Sequence, residues 1–183
     1  MAYLIRMIAG SKWRGINEEE DIGSYPSHTI TKDLQTDTKN RLSVWRVEDI
    51  EDVEEVENAA IALCVARDEI RKVEMVILSE EELISKGFTV DNDPSSANSI
   101  KEYNYMHRDI TELSYSCLGG FAKEIVLSLH NEKMIKNFTK PKLTDLIIKR
   151  IDDNKIDPSY FIAKEKMMES LGLSFNKGLI DEN

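Results

Sequence analysis

Cysteine and long apolar runs are scarce in this sequence. Only Cys64 and Cys117 are cysteines among 183 residues, and neither has a second cysteine at metal-ligand spacing. Secreted domains of this size more often carry a paired disulfide framework, so we interpret both as buried free thiols in a reducing compartment. No stretch approaches the ~18 to 20 apolar residues of a membrane span, and the first ten residues lack a signal-peptide pattern. We therefore expect a cytoplasmic protein without a membrane partner.

Signatures of catalysis and of cofactor binding are missing too. The chain contains no P-loop, no G-x-G-x-x-G, no H-E-x-x-H, no C-x-x-C and no G-x-S-x-G. No segment has the spacing of an EF-hand calcium loop. These absences favour a protein that is not an enzyme and that needs no cofactor or metal.

Negative charge is unevenly distributed. The net charge is −10, and residues 1–100 carry 21 acidic against 11 basic side chains, whereas residues 101–183 carry 13 of each. A negative surface repels nucleic-acid phosphates and attracts cationic partners. The composition therefore disfavours a nucleic-acid partner and favours a more basic protein.

The front of the chain shows a strand–helix–strand pattern. Apolar patterns typical of strands occupy residues 3–9, 41–47 and 72–78, and apolar residues at helical spacing fill about 53–70 between the last two. Such a crossover predicts a parallel βαβ unit. Ser79 followed by Glu82 is a capping box for a helix that Gly87 ends, with a short fourth strand at 88–90.

The remaining segments complete the expected fold. Residues 10–40 lack sustained periodicity and indicate a long loop, and residues 91–99 indicate a polar connecting loop. Helical patterns follow at 109–130, 142–152 and 157–171. We expect one domain, 1–183, of α/β or α+β class: a small three- to four-stranded sheet with one parallel βαβ unit in residues 1–90, and a helical back half at 100–176.

The most conspicuous local feature is an acidic run at the start of the predicted helix. Seven carboxylates fall within residues 48–57, with no basic residue among them. One helix turn is stabilised by two or three acidic groups, and the surplus repels itself. A solvated face and a docking surface for a basic partner both fit, and the candidate partner-binding residues are Glu51, Asp52, Glu54 and Glu55.

Trp13 is a further candidate contact. It lies between Lys12 and Arg14 near the long loop, where an exposed aromatic ring would anchor a partner.

His107, Asp109 and Glu112 form the one cluster that resembles an active site. A histidine with two carboxylates can transfer protons or bind a metal. Asp109 and Glu112 are also spaced like a cap and its reciprocal partner at a helix start, which explains two of the three without chemistry. We favour capping and keep catalysis as the alternative.

Residues 133–155 are locally basic, with seven cationic and three acidic side chains. Three interpretations stay open: a solvated face, contact with nucleic acid, and an intramolecular or homo-oligomeric complement to the acidic run. The sequence as a whole predicts an acidic protein-interaction module that is an inhibitor, immunity-type or accessory partner of a more basic protein. The alternative is a small hydrolase or transferase acting on a nucleotide or nucleic acid.

Overall fold

A computed structural model of the chain describes residues 2–92 and 100–173. Its centre is a six-stranded sheet in which all neighbouring strands are antiparallel. In chain order the strands are β1 (Tyr3–Met7), β2 (Leu42–Val47), β3 (Val73–Ser79), β4 (Thr89–Asp91), β5 (His107–Thr111) and β6 (Ile135–Phe138).

Helices cover both faces of this sheet. In chain order they are α1 (Gly10–Trp13), α2 (Ser27–Asp33), α3 (Val53–Val65), α4 (Glu80–Ser85), α5 (Tyr115–Leu129), α6 (Lys140–Asp152) and α7 (Glu165–Ser170). Short 3-10 helices occupy Ile22–Ser24, Lys101–Met106, Glu132–Met134 and Pro158–Phe161. Within the described ranges, none of the helices has the length and hydropathy that a bilayer span requires.

The order of the strands corrects the predicted βαβ unit. The order is β4-β5-β2-β1-β3-β6, so β1 lies between β2 and β3. Ile5 of β1 faces Trp45 on one side and Ile77 on the other, in antiparallel register with both. The strands joined by α3 run in the same direction but never pair. The fold is therefore α+β rather than one built on a parallel βαβ unit.

The predicted small sheet and helical back half are also wrong. β5 and β6 come from the back half and extend the sheet to six strands. The helix expected from residue 109 begins only at Tyr115, and the one expected at 157–171 divides into a 3-10 helix and α7. Most of the predicted connecting loop, residues 93–99, and residues 174–176 lie outside the described residues.

Each face of the sheet has its own apolar core. On one face α3, α6 and the 101–106 helix cover Ile5, Trp45 and Met75. On the other face α5 and the 10–34 segment cover Leu4 and Val76. β3 is buried at every position, which explains its nearly continuous apolar sequence.

Residues 10–34 are ordered by buried side chains rather than forming the predicted long loop. Ile16, Tyr25 and Leu34 are all buried in the second core. The Arg6 guanidinium donates to the carbonyl oxygen of Asp33 at 2.7 Å and ties the segment to the sheet. Burial lowers the pKa of Arg6 to about 10, although the nearby Asp33 carboxylate opposes the shift.

Candidate functional site

The acidic run forms a structured turn followed by the first turn of α3. Asp52 is the N-cap, and its Oδ1 accepts hydrogen bonds from the backbone N–H groups of Glu54 and Glu55 at 2.9 and 3.2 Å. Glu55 reaches back, and its Oε2 accepts from the N–H groups of Glu48 and Asp49 at 2.7 and 3.2 Å. These reciprocal bonds resemble a capping box and hold the turn against the helix.

The chain's own cations neutralise part of this run. Three of the seven carboxylates belong to ion pairs, and two of these three pair with the basic segment around α6. The pairs are Glu48 with Arg46, Glu54 with Arg150 and Lys155, and Glu57 with Lys142 and Arg150.

The pairs around Arg150 make α6 an intramolecular complement to the side of α3 that faces it. The buried Arg150 guanidinium lies 3.3 Å from Glu54 and 3.9 Å from Glu57. The Lys155 ammonium donates to Glu54 at 2.6 Å. This hydrogen bond, followed by the charge of Arg150, lowers the pKa of Glu54 below its ordinary value. Glu54, a predicted partner-binding residue, is therefore already engaged within the chain.

Four carboxylates of the run have no cationic partner within residues 2–92 and 100–173. Asp49, Glu51 and Asp52 are exposed and Glu55 is half-buried. None of the four makes an ion pair with any residue in the described part of the chain. Charge that folding leaves uncompensated is available to a partner.

Two apolar side chains are exposed in the same region. Val53, the first residue of α3, is 65% exposed, and Tyr105 is 61% exposed. Tyr105 belongs to the 3-10 helix that contacts α3. Desolvation raises the pKa of Tyr105, and the negative charges of Glu55, Glu54 and Asp52 raise it further. We call the set Asp49, Glu51, Asp52, Val53, Glu55 and Tyr105 the acidic patch.

Sequence reasoning missed Tyr105. It lies two residues after Tyr103, which is only 4% exposed. The neighbouring sequence does not distinguish one tyrosine from the other. A 3-10 helix has three residues per turn, so side chains two apart point in different directions. Only knowledge of that helix separates the buried tyrosine from the exposed one.

The structure corrects the expectation that Trp13 is exposed. Its side chain is 1% exposed and belongs to the core beneath α5. The indole Nε1 donates to Asp33 Oδ2 at 2.7 Å. Trp13 is a core residue on the opposite face of the sheet from α3, and no partner reaches its ring in this fold.

His107 and Asp109 lie on strand β5, not at a helix start, so the capping interpretation is wrong. His107 is 2% exposed and packs edge-to-face on Trp45, with ring centroids 5.3 Å apart. Its Nε2 is 3.7 Å from Oδ1 of Asp109, whose other oxygen lies 3.4 Å from Arg41. The Asp109 side chain is also buried, with 3% exposure.

Glu112 is separated from that pair. It follows β5, is exposed, and has a φ of 58°, a value that non-glycine residues rarely adopt. It borders a cleft of about 290 Å³ beside the first two turns of α5. The lining residues are Lys86, Gly87, Phe88, Thr89, Thr111, Glu112, Leu113, Cys117 and Gly120.

One thiol differs from its predicted state. Cys64 is buried, and burial raises its pKa. Cys117 is exposed at the cleft rather than buried, and the Ser114 hydroxyl donates to its Sγ at 3.3 Å.

The described residues contain no group of three or more His, Cys, Asp or Glu side chains arranged to hold a metal ion. No family model matches the chain, and neither the search of curated proteins nor that of solved structures found a match. The site therefore has to be interpreted from its own geometry.

Proposed function

We propose that this protein is an interaction module that binds a more basic protein through the acidic patch, as an inhibitor, an immunity-type protein or an accessory partner. The observation that carries the proposal is that four carboxylates, unpaired among the described residues, flank the exposed Val53 in the chain, and that α3 contacts the helix that exposes Tyr105. A charged rim around an apolar centre is the usual arrangement of a protein-binding surface.

The two kinds of residue have different roles in this proposal. Clustered carboxylates steer a cationic partner and raise the rate of encounter, while affinity comes from buried aromatic and aliphatic anchors. The capping bonds of Asp52 and Glu55 fix the turn before binding, so less conformational entropy is lost when the complex forms.

The alternative hypothesis, a small hydrolase or transferase, has less support. It needs His107, Asp109 and Glu112 around one substrate, yet Glu112 borders a cleft whose lining includes neither of the other two. His107 and Asp109 are 2% and 3% exposed, which leaves a substrate little access to them.

The test compares two double variants that each remove two negative charges. Glu51→Gln with Asp52→Asn discharges the acidic patch, and asparagine remains a good N-cap, so α3 keeps its start. Glu18→Gln with Glu19→Gln removes the same charge from an exposed loop on the other side of the sheet. Each protein, tagged, is used for capture from its native lysate at low salt, with quantitative mass spectrometry of what it binds.

We expect basic proteins that the wild type and the loop variant both enrich and that the patch variant loses. Val53→Ser should weaken the same capture at unchanged charge. If the patch variant and the loop variant enrich the same proteins equally, the acidic patch is not the binding surface.

A further inference from the structure

The backbone that carries the exposed ring of Tyr105 is held in a fixed position. Its neighbours Tyr103 and Met106 are buried, which anchors the 3-10 helix on both sides of it. Arg108 donates to the carbonyl oxygen of Tyr105 at 2.8 Å, and the Tyr160 hydroxyl accepts from the N–H of Lys101 at 2.8 Å. The backbone beneath the ring is thus ordered before binding, so its ordering adds little cost when a partner binds.

No lysine or arginine within residues 2–92 or 100–173 stacks on this ring. Among the described residues, Lys142 lies over Phe138 with its ammonium 4.8 Å from the ring centroid, but no cation lies over Tyr105. Arg108 directs its guanidinium to the backbone oxygens of Tyr105 and His107 instead. The Tyr105 side chain is therefore 61% exposed and carries no cation from the described residues, so a partner can supply one.

Acceptor oxygens are available at the start of α3, the helix that contacts the 3-10 helix of Tyr105. Asp52 uses Oδ1 for both capping bonds, and Glu55 uses Oε2 for both of its bonds to the turn. Within residues 2–92 and 100–173, the second oxygen of each carboxylate accepts no hydrogen bond. Asp52 is the N-cap of α3 and Glu55 lies in its first turn, and α3 packs against the helix that carries Tyr105.

This combination favours arginine over lysine. A guanidinium is planar, is weakly hydrated on its faces, and presents five N–H donors at its edge. It can stack on an aromatic ring while its edge donates to carboxylates, whereas an ammonium is a compact and strongly hydrated point charge.

We infer that Tyr105 is the anchor for an arginine side chain of the basic partner, whose guanidinium stacks on the ring and donates to the carboxylates of Asp52 and Glu55. This inference rests on the proposed function, because it names the chemistry that the acidic patch recognises. It goes further in predicting a preference between two cations of equal charge.

The test uses two peptides of equal length and charge, hexa-arginine and hexa-lysine, titrated into the full-length protein by calorimetry at low salt. The wild type should bind hexa-arginine more tightly. Tyr105→Ala should weaken hexa-arginine about two- to five-fold, the range of an exposed cation–π contact, and should remove the preference. Tyr105→Phe keeps the ring and should keep the preference. Because Tyr105 is exposed, both variants should fold, which circular dichroism checks.

The two proposals fail separately. If Glu51→Gln with Asp52→Asn leaves the affinity of both peptides unchanged, the acidic patch does not bind cations and the proposed function is overturned. If that variant weakens both peptides but Tyr105→Ala leaves the arginine preference intact, the function stands and the role of Tyr105 is wrong. A supporting signal is an upfield ring-current shift of the arginine δ-methylene protons that Tyr105→Ala abolishes; its absence in the wild type would overturn the stacking.

Discussion

Asp33 offers the clearest test of the packing, because one carboxylate oxygen of this α2 residue accepts hydrogen bonds from both ends of α1. Oδ2 accepts from the backbone N–H of Ala9 and from the indole Nε1 of Trp13, both at 2.7 Å. The residue is only 9% exposed, so water cannot fully replace it. Asp33→Ala leaves two donors without an acceptor, each at a cost of about 1–3 kcal/mol, which predicts a loss of about 2–6 kcal/mol in the free energy of unfolding.

A double-mutant cycle isolates the contact with Trp13. Trp13→Phe removes the indole donor, so Asp33→Ala should cost less in its presence than in the wild type. The coupling free energy should be about 1.5–3 kcal/mol, the value of a hydrogen bond to a charged group. Urea unfolding followed by circular dichroism measures each variant, with equal m-values required for the comparison.

Asp68→Ala is the matched control, since Asp68 is exposed and should change stability by no more than about 0.5 kcal/mol. The argument is refuted if Asp33→Ala costs less than about 1 kcal/mol, below the penalty for even one orphaned donor. It is also refuted if the stability losses of Asp33→Ala and Trp13→Phe are additive in the double variant, because the coupling free energy is then zero.

Three further changes test the backbone, the cap and an ion pair. Gly87 has a φ of +88°, so Gly87→Ala should lower the free energy of unfolding by about 1–2 kcal/mol, while Gly15→Ala, in open space, should not. Asp52→Ala should cost about 1 kcal/mol by removing the cap of α3, and Asp52→Asn should cost far less. The lowered pKa of Glu54, due first to Lys155, stabilises the fold above its ordinary value of 4.5, and this contribution disappears as the pH falls through the folded pKa. Stability curves of the wild type and Glu54→Gln should therefore converge in acid.

Features set by local chemistry were predictable from the sequence. Aspartate is among the residue types preferred at an N-cap, and Asp52 caps α3. Ser79 caps α4 by accepting from the N–H of Glu82 at 3.2 Å, as the capping box predicts, and Gly87 has the positive φ expected after a helix. Each signal depends on residues within one turn of each other, so a single sequence contains all of it.

The strand order was not predictable because it depends on pairing between distant segments. Nothing local indicates that β1 enters between β2 and β3. β5 was mistaken for the start of α5, since Ile110 and Leu113 continue the helical spacing of that helix. β5 also has buried residues on both faces, His107 and Asp109 on one and Ile110 on the other, and so lacks the alternation that marks a half-exposed strand.

The candidate site was predictable only in part, because it too depends on contacts between distant segments. The acidic run is visible in the sequence, but its division into paired and unpaired carboxylates is not. Glu54 and Glu57 are three apart on α3 and so share the face that α6 covers, whereas Glu55 is turned about 100° away from Glu54. Which face a second helix covers is a tertiary fact, and it decides which charges remain for a partner.

A substitution of Glu51 separates an effect on binding from an effect on stability most clearly. In the described structure its carboxylate makes no hydrogen bond and no ion pair, in contrast to the capping bonds of Asp52 and Glu55. A charge without an intramolecular role, placed among like charges, only adds repulsion. Glu51→Gln should therefore leave the free energy of unfolding unchanged within about 0.5 kcal/mol, or raise it, while weakening capture of a basic partner. A loss of stability above about 1 kcal/mol would show that Glu51 stabilises the fold. Its negative charge would then no longer be evidence for a cationic partner.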